Sequence, residues 1–290
     1  SLIIGGGIAG MTAALTLAEQ GFECLLMEKG RELGGNLGLL NATLSGDDTG
    51  ACLKDLAARV KKNGKISVAT EAELVNISGF IGNFSSVIAM GSGSKRKEQA
   101  YDHGTVILAT GGREHRPAKY LLGRNARVLT QQELEKQLAG RGRNRAPDSV
   151  IMIQCAGSRG DDLAYCSKVC CNHAVKNALK IKEINPDSQV IVLYRDMRTY
   201  GFAEDAYREA RLKGVIFIPY EVDNKPEVYE KARKLHVKFF DAILQEEMDM
   251  TPDLVVLSVG IVPEGTEELS KLFKAPLTDD RFFLEAHVKL

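Results

Sequence analysis

The first thirty residues switch between strand-like and helix-like spacing of apolar positions. "SLII" is an apolar run that ends at a glycine turn, "IAGMTAALTLAEQ" spaces small and apolar residues as a helix does, and "FECLLMEKG" is a second apolar run. This order predicts a strand, a tight turn, a helix and a second strand. It is the order that opens a dinucleotide-binding unit.

The remaining pattern predicts a meander and then a second unit. The segment from "KISVATEAEL" to "EQAYDHG" alternates apolar and polar residues like a small antiparallel meander, with "GSGSKRKEQ" as a solvated hairpin tip. "GTVILATGG" predicts a buried strand, and "RGRNRAPDS" predicts a linker. The runs "VIMIQ", "SQVIVLYRD", "GVIFIPY" and "PDLVVLSVGIVP" then predict strands of a parallel sheet, with "SKVCCNHAVKNALKIKEI" as a helix that begins at about Ser167.

The expected fold class is α/β, with two doubly wound Rossmann-like dinucleotide-binding units and a small antiparallel β-meander. We expect the first unit and its meander over residues 1–118. A second Rossmann-like domain is expected over 119–262, and a segment that starts to return to the first domain over 263–290.

Composition excludes several classes of partner. Among 290 residues, the 38 Lys and Arg balance the 38 Asp and Glu, so no nucleic-acid tract is indicated. No apolar run approaches the roughly 18 residues of a spanning helix, so we expect no direct membrane insertion. The chain opens inside a strand without an initiator Met, and we expect a fragment or processed segment. The 6 cysteines are too few for a disulfide scaffold and indicate a reducing, cytoplasmic setting.

The first turn carries a dinucleotide fingerprint. Gly5 permits the tight turn, Gly7 lets the backbone approach a pyrophosphate, and Gly10 lets helix and strand pack closely. The helix N-terminus then faces the phosphates. Glu28 ends the second strand, where a carboxylate accepts ribose hydroxyls.

Two later turns favour FAD over NAD, although both cofactors use this loop. Gly34, Gly35 and Asn36 in "RELGGNLGLL" suit a cofactor that lies across the fold, and "ATG" at 109–111 resembles the turn that closes a section of the flavin domain in two-dinucleotide flavoproteins. The predicted flavin contacts are Gly5, Gly7, Ile8, Ala9, Gly10, Glu28, Lys29, Gly35, Asn36, Leu74, Ala109, Thr110 and Gly111.

The corresponding turn of the second unit has lost its glycine spacing. It reads "CAGSRG", in which Gly157 and Gly160 remain, so a nicotinamide dinucleotide would find a poor cradle. Arg195 ends the next strand and has the position of a 2′-phosphate partner. A solvated strand-end arginine is the simpler interpretation.

Four cysteines stand at this altered turn. Cys155 is expected at the strand end, with Cys166, Cys170 and Cys171 in the first turns of the helix, whose N-terminus stabilises thiolates. If the helix has begun by Cys166, this residue and Cys170 share a face. Four converging sulfurs suit an iron–sulfur cluster or a zinc ion. The spacing C-x10-C-x3-C-C lacks the C-x-x-C of a disulfide exchanger.

At these residues the chain resembles a known family. "IQCAGSR" with "YCSKVCCNHAVKNALK", "VLYRDMRTYGF" and "FFLEAHVKL" resemble HdrA, the flavoprotein subunit of heterodisulfide reductase. The corresponding subunit of the quinone-interacting membrane-bound oxidoreductases is similar as well. The resemblance runs from "IIGGGIAGM" to "EAHVKL", and the cysteine motif is its specific part.

The resemblance implies a thioredoxin-reductase-like flavoprotein core that binds FAD. It also implies a [4Fe-4S] cluster on Cys155, Cys166, Cys170 and Cys171, and electron transfer with other redox subunits of a complex, in some cases with bifurcation of an electron pair. The ferredoxin-type C-x-x-C-x-x-C modules of that family do not occur in this chain, and its closing G-D turn is expected beyond Leu290.

Two other functions stay open at this point. The cysteines would instead hold structural zinc in a non-catalytic assembly domain, or the chain would be a stand-alone NAD(P)H-dependent disulfide reductase. Cys24, in an apolar strand pattern, and Cys52, in a helical pattern, are interpreted as buried structural residues.

Overall fold

A computed structural model describes residues 1–91, 93, 96–140, 146–160 and 162–285. Contacts divide the chain into two compact units, the first with residues 1–40, 48–113 and 263–290 and the second with residues 41–47 and 114–262. Parts of the predicted hairpin tip, the predicted linker and the end of the return segment lie outside the described residues. The domain boundaries expected at 118 and 262 stay a prediction.

A four-stranded parallel sheet, in the order β3-β2-β1-β7, forms the centre of the first unit. Its elements are β1 (Leu2–Ile4), α1 (Ile8–Glu19), β2 (Cys24–Met27), a 3₁₀ helix (Gly35–Leu39), α2 (Thr49–Lys62), β3 (Ile66–Ala69) and β7 (Val106–Leu108). Apolar residues of β1 alternate between the two faces of the sheet. Ile3 packs toward α1 and α2, whereas Leu2 and Ile4 pack on the opposite side.

A three-stranded antiparallel sheet covers the opposite face of that sheet. It consists of β4 (Ala72–Phe80), β5 (Asn83–Met90) and β6 (Lys97–His103). After β7, the next strand along the chain is β8 (Gly112–Glu114). Near the end of the chain, β17 (Ile261–Pro263) pairs with β8, and α6 (Thr266–Phe273) follows it. Leu269 of α6 joins Ile88 of β5 in one apolar cluster.

The second unit is built on a five-stranded parallel sheet in the order β12-β11-β10-β16-β9. Its elements are β9 (Val128–Thr130), α3 (Gln131–Gly140), β10 (Ser149–Ala156), α4 (Cys170–Ile184), β11 (Gln189–Tyr194), α5 (Ala203–Leu212), β12 (Ile216–Pro219) and β16 (Leu254–Val259). Val150 and Met152 of β10 face the helices, whereas Ile151 and Ile153 face the other side. All six residues of β16 are buried, as both faces of this sheet are covered.

The sequence pattern does not predict the antiparallel sheet on that other side. It consists of β13 (Glu227–Lys231), β14 (Lys234–Asp241) and β15 (Glu246–Met250). Leu235, Val237 and Phe239 of β14 are buried in the core against the parallel sheet. The strict alternation of "KLHVKFFD" is the signal that would have found it.

The predicted fold class is confirmed. Each of the two parallel sheets has helices on one face and antiparallel strands on the other. This is a mixed α/β fold of two Rossmann-like units. Within the described residues, none of the helices combines the length and apolar character needed to cross a bilayer.

Candidate functional site

Two of the three fingerprint glycines in the first turn are closely packed, and the third has free space around it. Gly5 has φ +113°, and a Cβ there would lie 2.2 Å from the carbonyl oxygen of Ala109. A Cβ at Gly10 would lie 1.8 Å from the carbonyl oxygen of Gly5, so helix α1 packs directly on the turn. Around Gly7 no atom lies within 4 Å of such a Cβ. The turn therefore leaves backbone exposed where a pyrophosphate would approach.

Glu28 follows β2 and is held at this turn. Its Oε2 accepts a hydrogen bond of 2.6 Å from the backbone N–H of Gly6, and its Oε1 accepts one of 2.6 Å from Gly30. A carboxylate has room for further donors beside these two. The half-buried side chain thus has a fixed position and spare acceptor capacity for hydroxyl groups.

The second glycine pair lies against the first turn. Gly34 forms an isolated bridge with Gly7 and donates its N–H to the carbonyl of Gly6 at 2.8 Å. A Cβ at Gly35 would lie 3.3 Å from the Cα of Gly7. The side-chain amide of Asn36 donates to the carbonyl of Gly112 at 2.7 Å, which ties this segment to the end of the "ATG" turn. The predicted cradle residues of both glycine segments therefore meet.

The other predicted flavin contacts differ in their exposure and packing. Ile8 and Ala9 are exposed at the start of α1, and Lys29 is exposed beside Glu28. Gly111, after β7 and Thr110, has φ +68° with open space around a Cβ. Leu74 pairs with a residue of β5 in the antiparallel sheet and packs in an apolar cluster there. The roles of these residues as flavin contacts stay predictions.

The cysteine turn of the second unit starts with a break in β10. The pairing of β10 with β16 shifts register between Ile153 and Ala156, and Cys155 at this point has φ +57°. Positive φ is uncommon for a residue with a Cβ and marks a constrained backbone. Gly157 has φ +77°, and a Cβ there would lie 2.7 Å from the Cβ of Pro117. This glycine is therefore packed against protein rather than open to a ligand.

The helix after the turn begins later than the sequence predicts. It starts at Cys170 rather than at about Ser167, and Lys168 has φ +62°, which no helix continues. The hydroxyl of Ser167 accepts a 2.7 Å hydrogen bond from the N–H of Ile261, so this residue is used to dock the turn on the strand end. Cys166 accordingly precedes α4 and does not share a helical face with Cys170.

Neighbouring contacts fix the cysteine-bearing segment near the end of β16. The hydroxyl of Tyr165 donates to the carbonyl of Ile261 at 2.6 Å. A Cβ at Gly260 would lie 2.6 Å from the side-chain end of Leu163 and 3.3 Å from Ser158, so the segment packs closely on this glycine. Cys166 is thus placed between two anchored residues, Tyr165 and Ser167.

The four predicted cysteines belong to one turn, from the end of β10 to the start of α4. Burial, with a further contribution from the nearby thiols of the other three cysteines, raises the pKa of Cys170 to about 12. Burial is also the main cause that raises the pKa of Cys155 and of Cys171, and Cys166 contributes to both. The Cys170 thiol donates to the carbonyl of Val259 at 3.2 Å. Such mutual repulsion of thiolates is relieved when a cation binds them.

All six cysteines are free thiols, Cys24 and Cys171 buried and Cys52 exposed. The interpretation of Cys52 as a buried residue is therefore wrong, because it lies on the solvent side of α2. Within the described part of the chain, no three His, Cys, Asp or Glu side chains are arranged to hold a single metal ion. Metal ligation by the four cysteines stays a prediction.

Buried polar atoms that lack a hydrogen-bond partner concentrate around this turn. Among the described residues, these atoms belong to His115, Gln154, Asn172 and Arg195. Gln154 and Asn172 adjoin two of the cysteines in sequence, and the His115 ring lies 3.1 Å from a Cβ placed on Gly157. Buried polar groups are normally satisfied. Unsatisfied groups next to Cys155 and Cys171 in sequence fit a site that receives a further polar or ionic group.

The sequence pattern does not reveal how the arginines of the turn are used. Arg195 is half-buried and donates to the carbonyl of Arg159 at 2.6 Å, so its interpretation as a solvated strand-end residue is wrong. The guanidinium of Arg159 lies 3.9 Å from the Cys155 sulfur, and Arg198 donates to Asp196, which also bonds Arg159. The pair of arginines in "YRDMR" is the sequence signal that could have indicated this role, because the chain has four thiols at the neighbouring turn.

The buried carboxylate of Glu135 binds two side chains of α4, the helix that follows the cysteine turn. Glu135 of α3 is 4% exposed and accepts from His173 at 2.6 Å and from Lys176 at 2.8 Å. Although burial acts to raise the pKa of Glu135, the hydrogen bonds from these two side chains outweigh it and hold that pKa at about 2. Glu135 also accepts from the N–H of Asn41 at 2.7 Å, which anchors segment 41–47 to the second unit.

Comparison with known proteins defines the class of this chain. The family model "Pyridine nucleotide-disulphide oxidoreductase" matches residues 1–274, so the chain belongs to that family. It is accordingly an FAD-dependent oxidoreductase, as the resemblance found in the sequence implies.

Curated relatives include components of heterodisulfide reductases. The chain is 29% identical to the A subunit of the "H(2):CoB-CoM heterodisulfide,ferredoxin reductase" of Methanothermobacter marburgensis, over 100% of the chain and 58% of that protein. It is 30% identical, with the same coverage, to the iron-sulfur A subunit of the "CoB--CoM heterodisulfide reductase" of Methanocaldococcus jannaschii. The predicted resemblance is confirmed, and the chain spans less than two thirds of the length of these relatives.

Solved structures show the same fold. Thioredoxin reductase of T. acidophilum superposes with a TM-score of 0.63 and 16% identity, over 97% of this chain and 83% of that one. Thioredoxin reductase of Lactococcus lactis gives a TM-score of 0.62 and 20% identity, over 96% and 81%. At these identities the likeness concerns the fold alone.

Proposed function

We propose that the chain is an electron-transfer unit of the HdrA type. FAD binds to the first unit, a [4Fe-4S] cluster binds to Cys155, Cys166, Cys170 and Cys171 of the second, and electrons pass between them and on to partner proteins. The proposed partners are other redox subunits of a complex, because the similar proteins are themselves named as subunits. The proposed setting is the reducing cytoplasm, where free thiols persist.

The open glycine turn supports the flavin part of this proposal. Gly7 leaves room for a pyrophosphate, the N-terminus of α1 presents unpaired N–H groups, and Glu28 is held in place by two backbone donors. Gly35 and Asn36 adjoin the same turn, at the position expected for a cofactor that continues across the fold. The chain's own residues therefore bind and orient the cofactor, which supplies the redox chemistry when bound.

One observation carries the cluster part. All four thiols belong to one turn between β10 and α4, where buried polar atoms of Gln154 and Asn172 have no partner among the described residues, and these features support a site for an iron–sulfur core. The strand break at Cys155 and the docked segment at Cys166 hold two of the ligands. The start of α4 holds Cys170 and Cys171, where the helix N-terminus favours anionic sulfur.

Metal analysis of single cysteine variants tests this proposal. After anaerobic reconstitution with iron and sulfide, serine substitution of any one of Cys155, Cys166, Cys170 or Cys171 should reduce bound iron and acid-labile sulfide, because serine is a poor substitute for a thiolate ligand. Cys52→Ser is the matched control, since Cys52 is exposed on α2, and Cys24→Ser is the control for a buried thiol.

The alternatives give different results in the same experiment. Stoichiometric zinc without sulfide in the native protein would establish a structural zinc domain instead. Iron that stays stoichiometric in all four variants would show that the cluster is held elsewhere. The cluster proposal requires iron and sulfide in the wild type and in both controls, with losses confined to the four turn cysteines.

A further inference from the structure

Three arginines are linked to one another at the cysteine turn. Arg159 comes from the turn itself, and its Nη1 lies 3.9 Å from the sulfur of Cys155. Arg195 comes from the end of β11, and its charge lowers the pKa of Cys155 against the larger effect of burial. Arg198 follows three residues later, and its Nε donates to Asp196, the carboxylate that also bonds Arg159.

A carboxylate holds two of these arginines in place. Asp196 accepts hydrogen bonds from Arg159 and, at 2.7 Å, from the Nε of Arg198. Burial acts to raise the pKa of Asp196, but the hydrogen bonds from Arg198 and Arg159 outweigh it and lower that pKa. Because Asp196 is ionised, it neutralises one of the three positive charges, and the surroundings of the thiols keep a net positive charge.

Arg195 has a donor that is not used. Its Nη1 bonds the carbonyl of Arg159 at 2.6 Å, but its Nε is buried and has no partner among the described residues. A guanidinium cannot lose its proton in a protein, so this charge is present at every physiological pH. A half-buried cation whose buried N–H has no partner is costly unless an anion faces it.

We propose that Arg159, Arg195 and Arg198 act as positioning residues that raise the reduction potential of the cluster held by the four cysteines. This inference rests on the proposed function. Four thiolates carry more negative charge than the iron–sulfur core carries positive charge, so the loaded site is an anion. It becomes more negative when it accepts one electron from a one-electron donor such as reduced flavin or dithionite. No bond forms or breaks in that step, and no proton is transferred.

The sign of the effect follows from charge alone. Fixed positive charges interact more favourably with the reduced, more negative state than with the oxidised state, so they make reduction easier. Hydrogen bonds to the sulfurs and nearby charge are among the properties that set the potential of such clusters. Removing one arginine should therefore lower the midpoint potential without removing a ligand.

Arg198 offers the cleanest substitution. Its side chain is 35% exposed, so its removal disturbs packing little. Arg198→Gln removes the charge, and Arg198→Lys keeps it. Arg208→Gln is the matched control, because Arg208 pairs with Asp205 on the surface of α5 and is 73% exposed.

The test is a potentiometric titration of the anaerobically reconstituted chain, with dithionite and mediators, followed by electron paramagnetic resonance. Arg198→Gln should lower the equilibrium constant for reduction on the order of tenfold, which corresponds to about 59 mV for one electron. Arg198→Lys should show less than half of that shift, and Arg208→Gln none. Iron and sulfide should stay stoichiometric in all three.

Two outcomes overturn different claims. Intact clusters with equal potentials in the wild type and Arg198→Gln, or an equal shift in Arg198→Lys and Arg198→Gln, would overturn the role of the arginine charge and leave the proposed function in place. Absence of iron and sulfide from the wild type would overturn the proposed function, and this inference with it.

Discussion

At the residue scale, Glu28 has a structural role at the glycine turn, and we propose a binding role beside it. Its two oxygens each accept one backbone N–H, from Gly6 and Gly30, and these bonds fix the carboxylate at the mouth of the glycine turn. A hydroxyl donor that reaches the same carboxylate meets an acceptor whose position needs no further ordering. Charge-assisted hydrogen bonds to such a preorganised group are stronger than neutral ones.

Substitution of Glu28 by Gln should weaken flavin binding. The loss of a charge-assisted hydrogen bond to the ribose should cost on the order of 1.5–3 kcal/mol, or about ten- to a hundredfold in the dissociation constant for FAD. Titration of the apoprotein with FAD, followed by flavin fluorescence, measures this. The exposed Glu32 provides the control Glu32→Gln, which should bind FAD like the wild type. Equal affinity in Glu28→Gln would show that Glu28 does not contact the cofactor.

At the scale of elements, the two glycine turns differ in what surrounds them. Gly7 faces open space, whereas Gly157 of the second unit packs against Pro117 and His115. One turn is built to admit a ligand to its backbone, and the other is filled by protein. The strand–turn–helix frame is the same in both units, so the change of chemistry lies in the turn and not in the sheet.

Gly7→Ala and Gly10→Ala form a pair that separates binding from folding. An added Cβ at Gly7 meets nothing within 4 Å, and its φ of −74° suits alanine, so the unfolding free energy should stay unchanged while FAD affinity falls. At Gly10 the Cβ would lie 1.8 Å from a carbonyl oxygen. Gly10→Ala should therefore destabilise the fold by about 1–3 kcal/mol. Thermal unfolding of the apoprotein and FAD titration measure the two effects, and Gly7→Ala with wild-type affinity would contradict the open-cradle interpretation.

Sequence periodicity predicts these elements well where both faces of a strand are buried, as at β10, β11 and β16. Periodicity does not predict the start of α4 correctly. That start depends on the hydrogen bond between Ser167 and Ile261 and on the positive φ of Lys168. The first of these is a contact between segments far apart in sequence, which periodicity does not record. The same limit explains why the burial of Arg195 was not foreseen.

At the scale of the whole molecule, the chain has two Rossmann-like units of which one keeps an open dinucleotide turn. Family membership alone suggests a pyridine nucleotide in the other. The second turn argues against it, since Gly157 is packed against its neighbours and the triple glycine spacing is lost. The proposed role of the second unit is accordingly to hold the cluster rather than a nucleotide.

The flavin of this chain should therefore not be reduced by NADH or NADPH in the absence of partner proteins. Stopped-flow mixing of the FAD-loaded chain with each nucleotide, followed at the flavin absorbance, should show no saturable phase, because the second unit offers no backbone cradle for a pyrophosphate. Dithionite is the positive control and should bleach the flavin in the same sample. Fast, saturable reduction by either nucleotide would contradict the loss of nicotinamide binding. It would favour instead a stand-alone NAD(P)H-dependent reductase, in which the four cysteines serve a different purpose.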